Sequence, residues 1–153
     1  TKCADWADGI RLASLVIASD SFKKNIAFGF TLTGHDELEK GASTNQERIE
    51  AMRKLHDAGF KTWASIEPII DFKSSSKMIV DTLSFCDLYK VGLMSGVKYD
   101  KNELTRFGSD VLLITYANEG RVYFKDSFLK QAGWTRESLP SNCVARYYNI
   151  FNQ

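Results

Sequence analysis

The spacing of four short apolar runs constrains the fold of this chain more than any other feature. The runs begin near residues 26, 61, 88 and 121, and segments with helical periodicity separate them. An interval of roughly 30 residues is the length of a strand–helix–strand unit. Because such units build parallel sheets with right-handed crossovers, we predict an α/β fold. More specifically, we expect residues 1–153 to form a single domain, a partial (βα) barrel of about four parallel strands with helices on its outer face.

Local signals set the expected element boundaries. Thr44 and Glu47 form a capping-box pattern at the start of one helix, and Gly59 stands where a left-handed C-cap belongs. The serine run 74–76 is predicted to cap the following helix. The strands are expected over 26–33, 61–69, 88–94 and 121–124. The helices are expected over 5–24, 45–58, 74–85 and 104–118, with one more after Gly133 that ends at 146–151.

Alternation along the strands separates two faces of the predicted sheet. Bulky apolar residues of the first three strands suit the helix side, and their alternates are small or polar. The inward positions of an ordinary barrel carry valine, isoleucine and leucine. Here the inward positions after the first few residues are Thr31, Thr33, Ser65, Glu67, Lys90 and Gly92.

Polar inward residues need partners in a low-dielectric interior, and two interpretations supply them. In the first, the residues line a hydrated or ligand-filled cavity at the carboxyl edge of the sheet, where parallel sheets usually bind ligands. In the second, Glu67 and Lys90 form a buried ion pair across neighbouring strands, and threonine hydroxyls bond to the backbone. The first interpretation predicts a binding site, and the second predicts only a stable core.

Composition narrows the class of protein. Twenty lysines and arginines against nineteen acidic residues give a net charge of +1, which argues against a nucleic-acid partner without excluding a local patch. No apolar run approaches the roughly 20 residues of a membrane span. Cys3, Cys86 and Cys143 are odd in number and far apart, which favours three separate thiols in a reducing cytoplasm over a disulfide framework.

Several segments together resemble the C-terminal half of radical S-adenosylmethionine proteins, closest to the group of spore photoproduct lyases and phage-type radical proteins. The similarity extends over about residues 1–128 and is strongest over 28–70. It is carried by a strand, an acidic loop, a helix with an early arginine, an "AGF" turn and an "EPII" strand in that order. The residues concerned are 29–35, 38–52, 55–60 and 65–70, with weaker similarity at Thr1-Lys2 and 122–127.

The resemblance implies a parent enzyme that uses S-adenosylmethionine and a 4Fe–4S cluster. Members of the superfamily hold that cluster with a Cys-x-x-x-Cys-x-x-Cys motif, and no such spacing occurs here. The chain is therefore expected to form the substrate-side half of the core and to be inactive alone, either as part of a longer enzyme or as a reduced relative. The expected partner is the missing N-terminal half or a homodimer mate across open sheet edges.

Two functions of other classes stay open. One is a non-catalytic partial-barrel module that binds a partner protein along the open edge of its sheet. The other is an unrelated α/β enzyme for a sugar or phosphate, which the absence of a glycine-rich phosphate loop disfavours.

The resemblance also implies roles for individual residues. Arg48 has a second interpretation, in which it only holds the acidic loop through Glu37 or Glu39. Trp63 suits either base stacking or simple filling of the barrel, and Lys125 either caps a helix or faces the pocket. The predicted cofactor-binding residues are Thr31, Thr33, Ser65 and Glu67, and the predicted substrate-binding residues are Lys90, His35 and Arg48.

Overall fold

Four parallel strands form the centre of the structure, which is a computed structural model describing residues 1–16 and 23–152. The strands lie side by side in chain order, and helices pack on one face of the open sheet. This arrangement confirms the predicted partial barrel. The strands are β1 (Ala27–Thr31), β2 (Lys61–Ile69), β3 (Leu88–Leu93) and β4 (Arg121–Phe124). The helices are α1 (Ala7–Val16), α2 (Asn45–Asp57), α3 (Phe72–Thr82), α4 (Lys101–Ala117) and α5 (Asp126–Ala132).

Helix α2 begins and ends as its local sequence predicts. The Thr44 N–H donates to Glu47 Oε2 at 2.7 Å, and the Glu47 N–H donates to Thr44 Oγ1 at 3.2 Å. These reciprocal bonds satisfy two donors that the first turn leaves without helical partners. Gly59 follows with φ of +90°, a conformation that glycine adopts without steric cost. The apolar stripe Ile49, Met52 and Leu55 is at most 4% exposed, so this helix is anchored by its predicted face.

The predicted bounds of two helices need correction or completion. Helix α3 is capped by Asp71, whose side chain accepts from the Ser74 N–H, so the serine run lies inside the helix. Asp71 comes shortly after β2 and caps the helix there. The helix therefore begins at Phe72, two residues earlier than predicted. The first helix is confirmed over Ala7–Val16, and residues 17–22 of that prediction lie outside the described residues.

The predicted tail helix after Gly133 is wrong. The last α-helix of the described chain is α5, and Gly133 ends it with φ of +74°. Beyond it, the described tail contains a short 3-10 turn at Arg136–Ser138 and otherwise turns and irregular structure. The tail instead packs by long-range contacts, which fix its backbone without helical hydrogen bonds.

The two faces of the sheet differ as the alternation predicts. The helix-side face carries fully buried residues in adjacent strands, namely Phe30, Ala64, Ile66, Tyr89, Val91, Val122 and Phe124. The opposite face is called the inner face here. Part of it is covered by the tail, where Val144 and Ile150 pack with Leu88 and Tyr123. The rest of the inner face, toward the carboxyl ends of the strands, is polar.

Both sheet edges are partly covered, whereas the sequence predicts unpaired edges. Beside β4, the Val122 N–H donates to the Asn142 carbonyl at 2.9 Å, and the Val144 N–H donates to the Val122 carbonyl at 2.8 Å. Beside β1, the Thr1 amino group donates to the Gly29 carbonyl at 2.5 Å, and the Thr31 N–H donates to the Thr1 carbonyl at 3.0 Å. Each edge therefore gains one residue of parallel pairing, which reduces the exposed donors and acceptors.

The three cysteines are not paired with one another, as predicted. Cys3 is exposed, Cys86 is buried and Cys143 is half-buried, and each is free. Within residues 1–16 and 23–152, no helix has the length and apolar character needed to cross a bilayer.

Candidate ligand-binding face

Strand register brings four predicted site residues onto one part of the inner face. Thr31 pairs with Ser65, and Ser65 pairs with Lys90, so the three form one row across β1, β2 and β3. Glu67 lies two positions further along β2 and therefore projects from the same face. All four side chains lie on the face opposite the helices. The strand register therefore places Thr31, Ser65, Glu67 and Lys90 on one face, near the carboxyl end of the sheet.

Trp63 supplies an aromatic surface beneath this row. Its indole ring lies directly over Gly29, where a Cβ atom would come within 2.0 Å of the ring. The Lys90 Nζ atom lies 3.9 Å from the centroid of the same indole. A cation at this distance from an indole face gains about 0.5–2 kcal/mol from the ring quadrupole. The glycine thus makes room for the ring, and the ring holds the lysine.

Glu67 pairs with Lys125, so the interpretation of a Glu67–Lys90 ion pair is wrong. Lys125 follows β4, and its Nζ contacts Glu67 Oε2, with the two side chains 40% and 29% exposed. The β2–β3 register pairs Lys90 with Ser65, so Glu67, two positions further along β2, is out of line with Lys90. Gly92 lies beneath the pair, because a Cβ there would be 2.8 Å from Glu67 Oε1. We call the five residues Thr31, Ser65, Glu67, Lys90 and Lys125 the polar face.

Lys90 has an unusual environment for a lysine. Within the described residues it forms no ion pair with a carboxylate, whereas Lys125 forms one with Glu67. Partial burial, followed by repulsion from the nearby Lys125 cation, lowers the pKa of Lys90. At a given pH, a larger fraction of Lys90 is therefore in the uncharged amine form than for an exposed lysine.

Arg48 lies in a different environment from the polar face. Its side chain is fully buried and forms an ion pair with Glu39, which is 5% exposed. Its Nη1 donates to the Thr31 carbonyl at 2.8 Å, and its Nε donates to the Thr44 carbonyl at 3.3 Å. Arg48 therefore joins β1, the acidic loop and the start of α2, in agreement with the loop-holding interpretation through Glu39.

Thr33 belongs to the same buried connection. Its N–H donates to Asn45 Oδ1 at 3.0 Å, and its hydroxyl donates to Glu39 Oε2 at 3.0 Å. Lys2 Nζ lies 2.6 Å from the other oxygen, Glu39 Oε1. Burial alone would raise the pKa of Glu39, but hydrogen bonds from Arg48 and Lys2 outweigh it and lower that pKa. Thr33 is 3% exposed, so its polar groups serve the loop.

His35 links the acidic loop to the start of α3. Its Nδ1 lies 2.7 Å from Glu37 Oε1, and its Nε2 lies 2.6 Å from Asp71 Oδ2. Hydrogen bonds to Glu37 and then Asp71 raise the pKa of His35, because both favour the imidazolium. The Ser74 backbone N–H is the main cause that lowers the pKa of Asp71, to about 2. We call Thr33, His35, Glu39, Arg48 and Asp71 the loop network.

The predicted site residues thus divide into two groups. Thr31, Ser65, Glu67 and Lys90 lie together on the polar face, and Thr33, His35 and Arg48 lie in the loop network. Lys125 completes the polar face and Trp63 lies beneath it, although the sequence left each with two interpretations. The signal for Lys125 is its place directly after a strand, at the edge where the other polar residues lie.

The donor set does not fit the 4Fe–4S cluster that the resemblance implies. Such a cluster needs three thiolates around one centre, and the described residues contain no group of three metal-ligating side chains. Cys86 is fully buried, and burial raises the pKa of its thiol to about 12, which opposes thiolate formation. Any 4Fe–4S cluster would therefore have to be held by residues other than the described residues of this chain.

Comparison with models of protein families, with curated proteins and with solved structures finds no match. The similarity to radical S-adenosylmethionine proteins accordingly stays a prediction from the sequence. The geometry of the polar face is the basis on which a function can be inferred.

Proposed function

We propose that the polar face binds a small ligand with a planar ring and a carboxylate, and that it forms the substrate-side wall of a radical S-adenosylmethionine core. One observation carries the proposal: the hydroxyls of Thr31 and Ser65, the Glu67 carboxylate and the Lys90 ammonium share the carboxyl end of a parallel sheet. Ligands of open parallel sheets usually bind at this end.

Each residue of the polar face offers a distinct contact. The Thr31 and Ser65 hydroxyls make no hydrogen bond to another side chain of the described residues, so both are available to a ligand hydroxyl. Glu67 can accept from a ligand amine or hydroxyl, while Lys90 can bind a carboxylate. Trp63 offers a stacking surface for a planar ring. These contacts correspond to the amino acid and nucleoside parts of S-adenosylmethionine.

The radical chemistry of the proposed parent comes from S-adenosylmethionine bound to a reduced cluster. Since the residues of this chain do not hold that cluster, the chain alone binds and orients its ligand and does not cleave it. A cluster-bearing partner would pack beside β1. The pairing of Thr1 with Gly29 and Thr31 covers only part of this edge, so it leaves room for such a partner. Three free thiols favour the cytoplasm as the location of the protein.

Ligand binding to the isolated chain tests the proposal. We expect saturable calorimetric binding of S-adenosylmethionine and of S-adenosylhomocysteine, and thermal stabilisation by both. Glu67→Gln should weaken the affinity about tenfold or more, because a charged hydrogen bond contributes about 1.5–3 kcal/mol. Glu50→Gln, at an exposed position on α2, is the matched control and should leave the affinity unchanged.

Two outcomes would contradict the proposal. The first is the absence of saturable binding of either nucleoside at millimolar concentration. The second is binding that responds equally to Glu67→Gln and Glu50→Gln, because it would place the ligand away from the polar face.

A further inference from the structure

Lys90 differs from the other lysines whose contacts the structure describes. Lys2, Lys54, Lys61, Lys77 and Lys125 each pair with a carboxylate within 4 Å. Lys90 is half-buried on the inner face, and its Nζ lies against the Trp63 ring instead. The side chain of a second cation, Lys125, passes over Gly92, two residues after Lys90, where a Cβ would be 2.9 Å from Lys125 Cδ. A desolvated lysine beside another cation is the arrangement that activates an amine as a nucleophile.

We propose that Lys90 is a nucleophilic lysine that forms an iminium with a small carboxylate-bearing aldehyde or ketone, such as a 2-oxo acid. In this reaction the uncharged Nζ attacks the carbonyl carbon and forms a C–N bond. A proton is transferred from this nitrogen to the carbonyl oxygen, which gives a neutral carbinolamine. A second proton from solvent lets that oxygen leave as water while the nitrogen lone pair forms the C=N bond. The step involves no oxidant or reductant, and addition of water reverses it.

The surroundings of Lys90 suit both ends of this reaction. Partial burial and Lys125 favour the uncharged amine before attack. The product iminium is a cation again, and the Trp63 face stabilises a cation at this position. Half-exposure of the face admits water for the dehydration step. The row that contains Lys90 also carries the Ser65 hydroxyl, which is placed to donate to the carbinolamine oxygen or to the ligand.

The charge of the groups around Lys90 favours a carbonyl compound that carries a carboxylate. The groups facing Lys90 from β2 and from the residue after β4 are Trp63, Ser65 and Lys125, the last with its partner Glu67. On β4, Tyr123 is paired with Lys90, and the Arg136 that lies over the Tyr123 ring is itself paired with Asp126. Once the iminium has formed at Lys90, the three groups Lys90, Lys125 and Glu67 carry one net positive charge. A ligand carboxylate compensates that charge, whereas a neutral aldehyde does not. This inference goes beyond nucleoside binding and does not depend on it.

Reductive trapping tests the inference on the unmodified protein. We would treat the folded chain briefly with glyoxylate and sodium cyanoborohydride, and then map modified lysines by peptide mass spectrometry. The hydride reduces the iminium to a stable secondary amine. We expect Lys90 to be modified several times faster than Lys98, an exposed lysine after β3. Lys125→Met should slow the modification of Lys90, and Lys98→Met should leave it unchanged.

The outcomes are distinct from those of the nucleoside experiment. Modification of Lys90 no faster than Lys98 would overturn the inference, whatever the affinity for S-adenosylmethionine. Equal trapping with acetaldehyde would overturn the selection of a carboxylate. Preferential trapping of Lys90 in a chain that binds no nucleoside would support this inference and contradict the proposed function.

Discussion

The Arg48–Glu39 pair and the Lys125–Glu67 pair are both ion pairs between a basic side chain and a glutamate, but they differ in burial. Arg48 and Glu39 are 0% and 5% exposed, while Lys125 and Glu67 are 40% and 29% exposed. The buried pair is surrounded by further partners from its own chain, including Thr33 and the carbonyls of Thr31 and Thr44. The exposed pair faces water on the inner side of the sheet.

This difference separates a structural cluster from a candidate site. The loop network uses its donors and acceptors to fasten the loop after β1, so little remains for a ligand. The polar face has unused hydroxyls, a lysine without a carboxylate and a half-exposed acid. Both groups lie near the carboxyl end of the sheet, so residue type and position do not distinguish them. Burial distinguishes their two ion pairs.

Replacing Arg48 should produce the largest effect. Arg48→Ala leaves the Glu39 carboxylate buried with only Lys2 as its charged partner, and removes donors to two carbonyls. We expect the free energy of unfolding to fall by about 3–5 kcal/mol, measured by urea denaturation. Arg106→Ala, at an exposed position on α4, is the control and should change it by less than about 0.5 kcal/mol. A similar small change for Arg48→Ala would remove the contrast between the two regions.

Replacing Asp71 should have an intermediate effect. Asp71→Ala removes the N-cap of α3 and one partner of His35. We expect a loss of about 1 kcal/mol in urea denaturation, the usual value for such a cap. Asp71→Asn keeps an N-cap acceptor and should recover most of this loss. Failure of asparagine to recover stability would mean that the charge on residue 71, and not the cap, matters.

Replacing Glu67 should change stability little. Glu67→Gln breaks a partly exposed ion pair, so we expect the free energy of unfolding to change by less than about 1 kcal/mol. Glu39→Gln makes the same change in the buried ion pair, and it should lower the free energy of unfolding clearly more. If the two variants were equally stable, burial would not be what distinguishes the regions.

The pH dependence of stability should be the smallest effect. The pKa of His35 is raised by Glu37 and Asp71, so its contribution is fully present below the unfolded-state value of about 6.5. That contribution is lost as pH rises through the higher folded-state pKa. We expect a decrease of at most about 1 kcal/mol between pH 6 and 8 in the parent protein, and a flatter profile for His35→Gln. Parallel profiles would contradict the paired imidazolium.

Local sequence predicts the elements whose signals are local. The limits of β2 and β4 match the prediction, and the α2 caps match because Thr44, Glu47 and Gly59 act on atoms a few residues away. The prediction misses α5, which has only seven residues and little room for a periodic pattern. The tail after Gly133 escapes prediction for a different reason, since Val144 and Ile150 are held by contacts with distant strands.

The sequence by itself determines the parallel α/β architecture and the residues that face inward, because strand alternation and helix periodicity are properties of neighbouring residues. Only the tertiary structure decides the partners. The strand register places Glu67 beyond Lys90, where it contacts Lys125, and packing of α2 against β1 buries Arg48. Ion pairs depend on distances of a few ångströms between side chains far apart in the chain, and those distances exist only once the sheet and helices have packed.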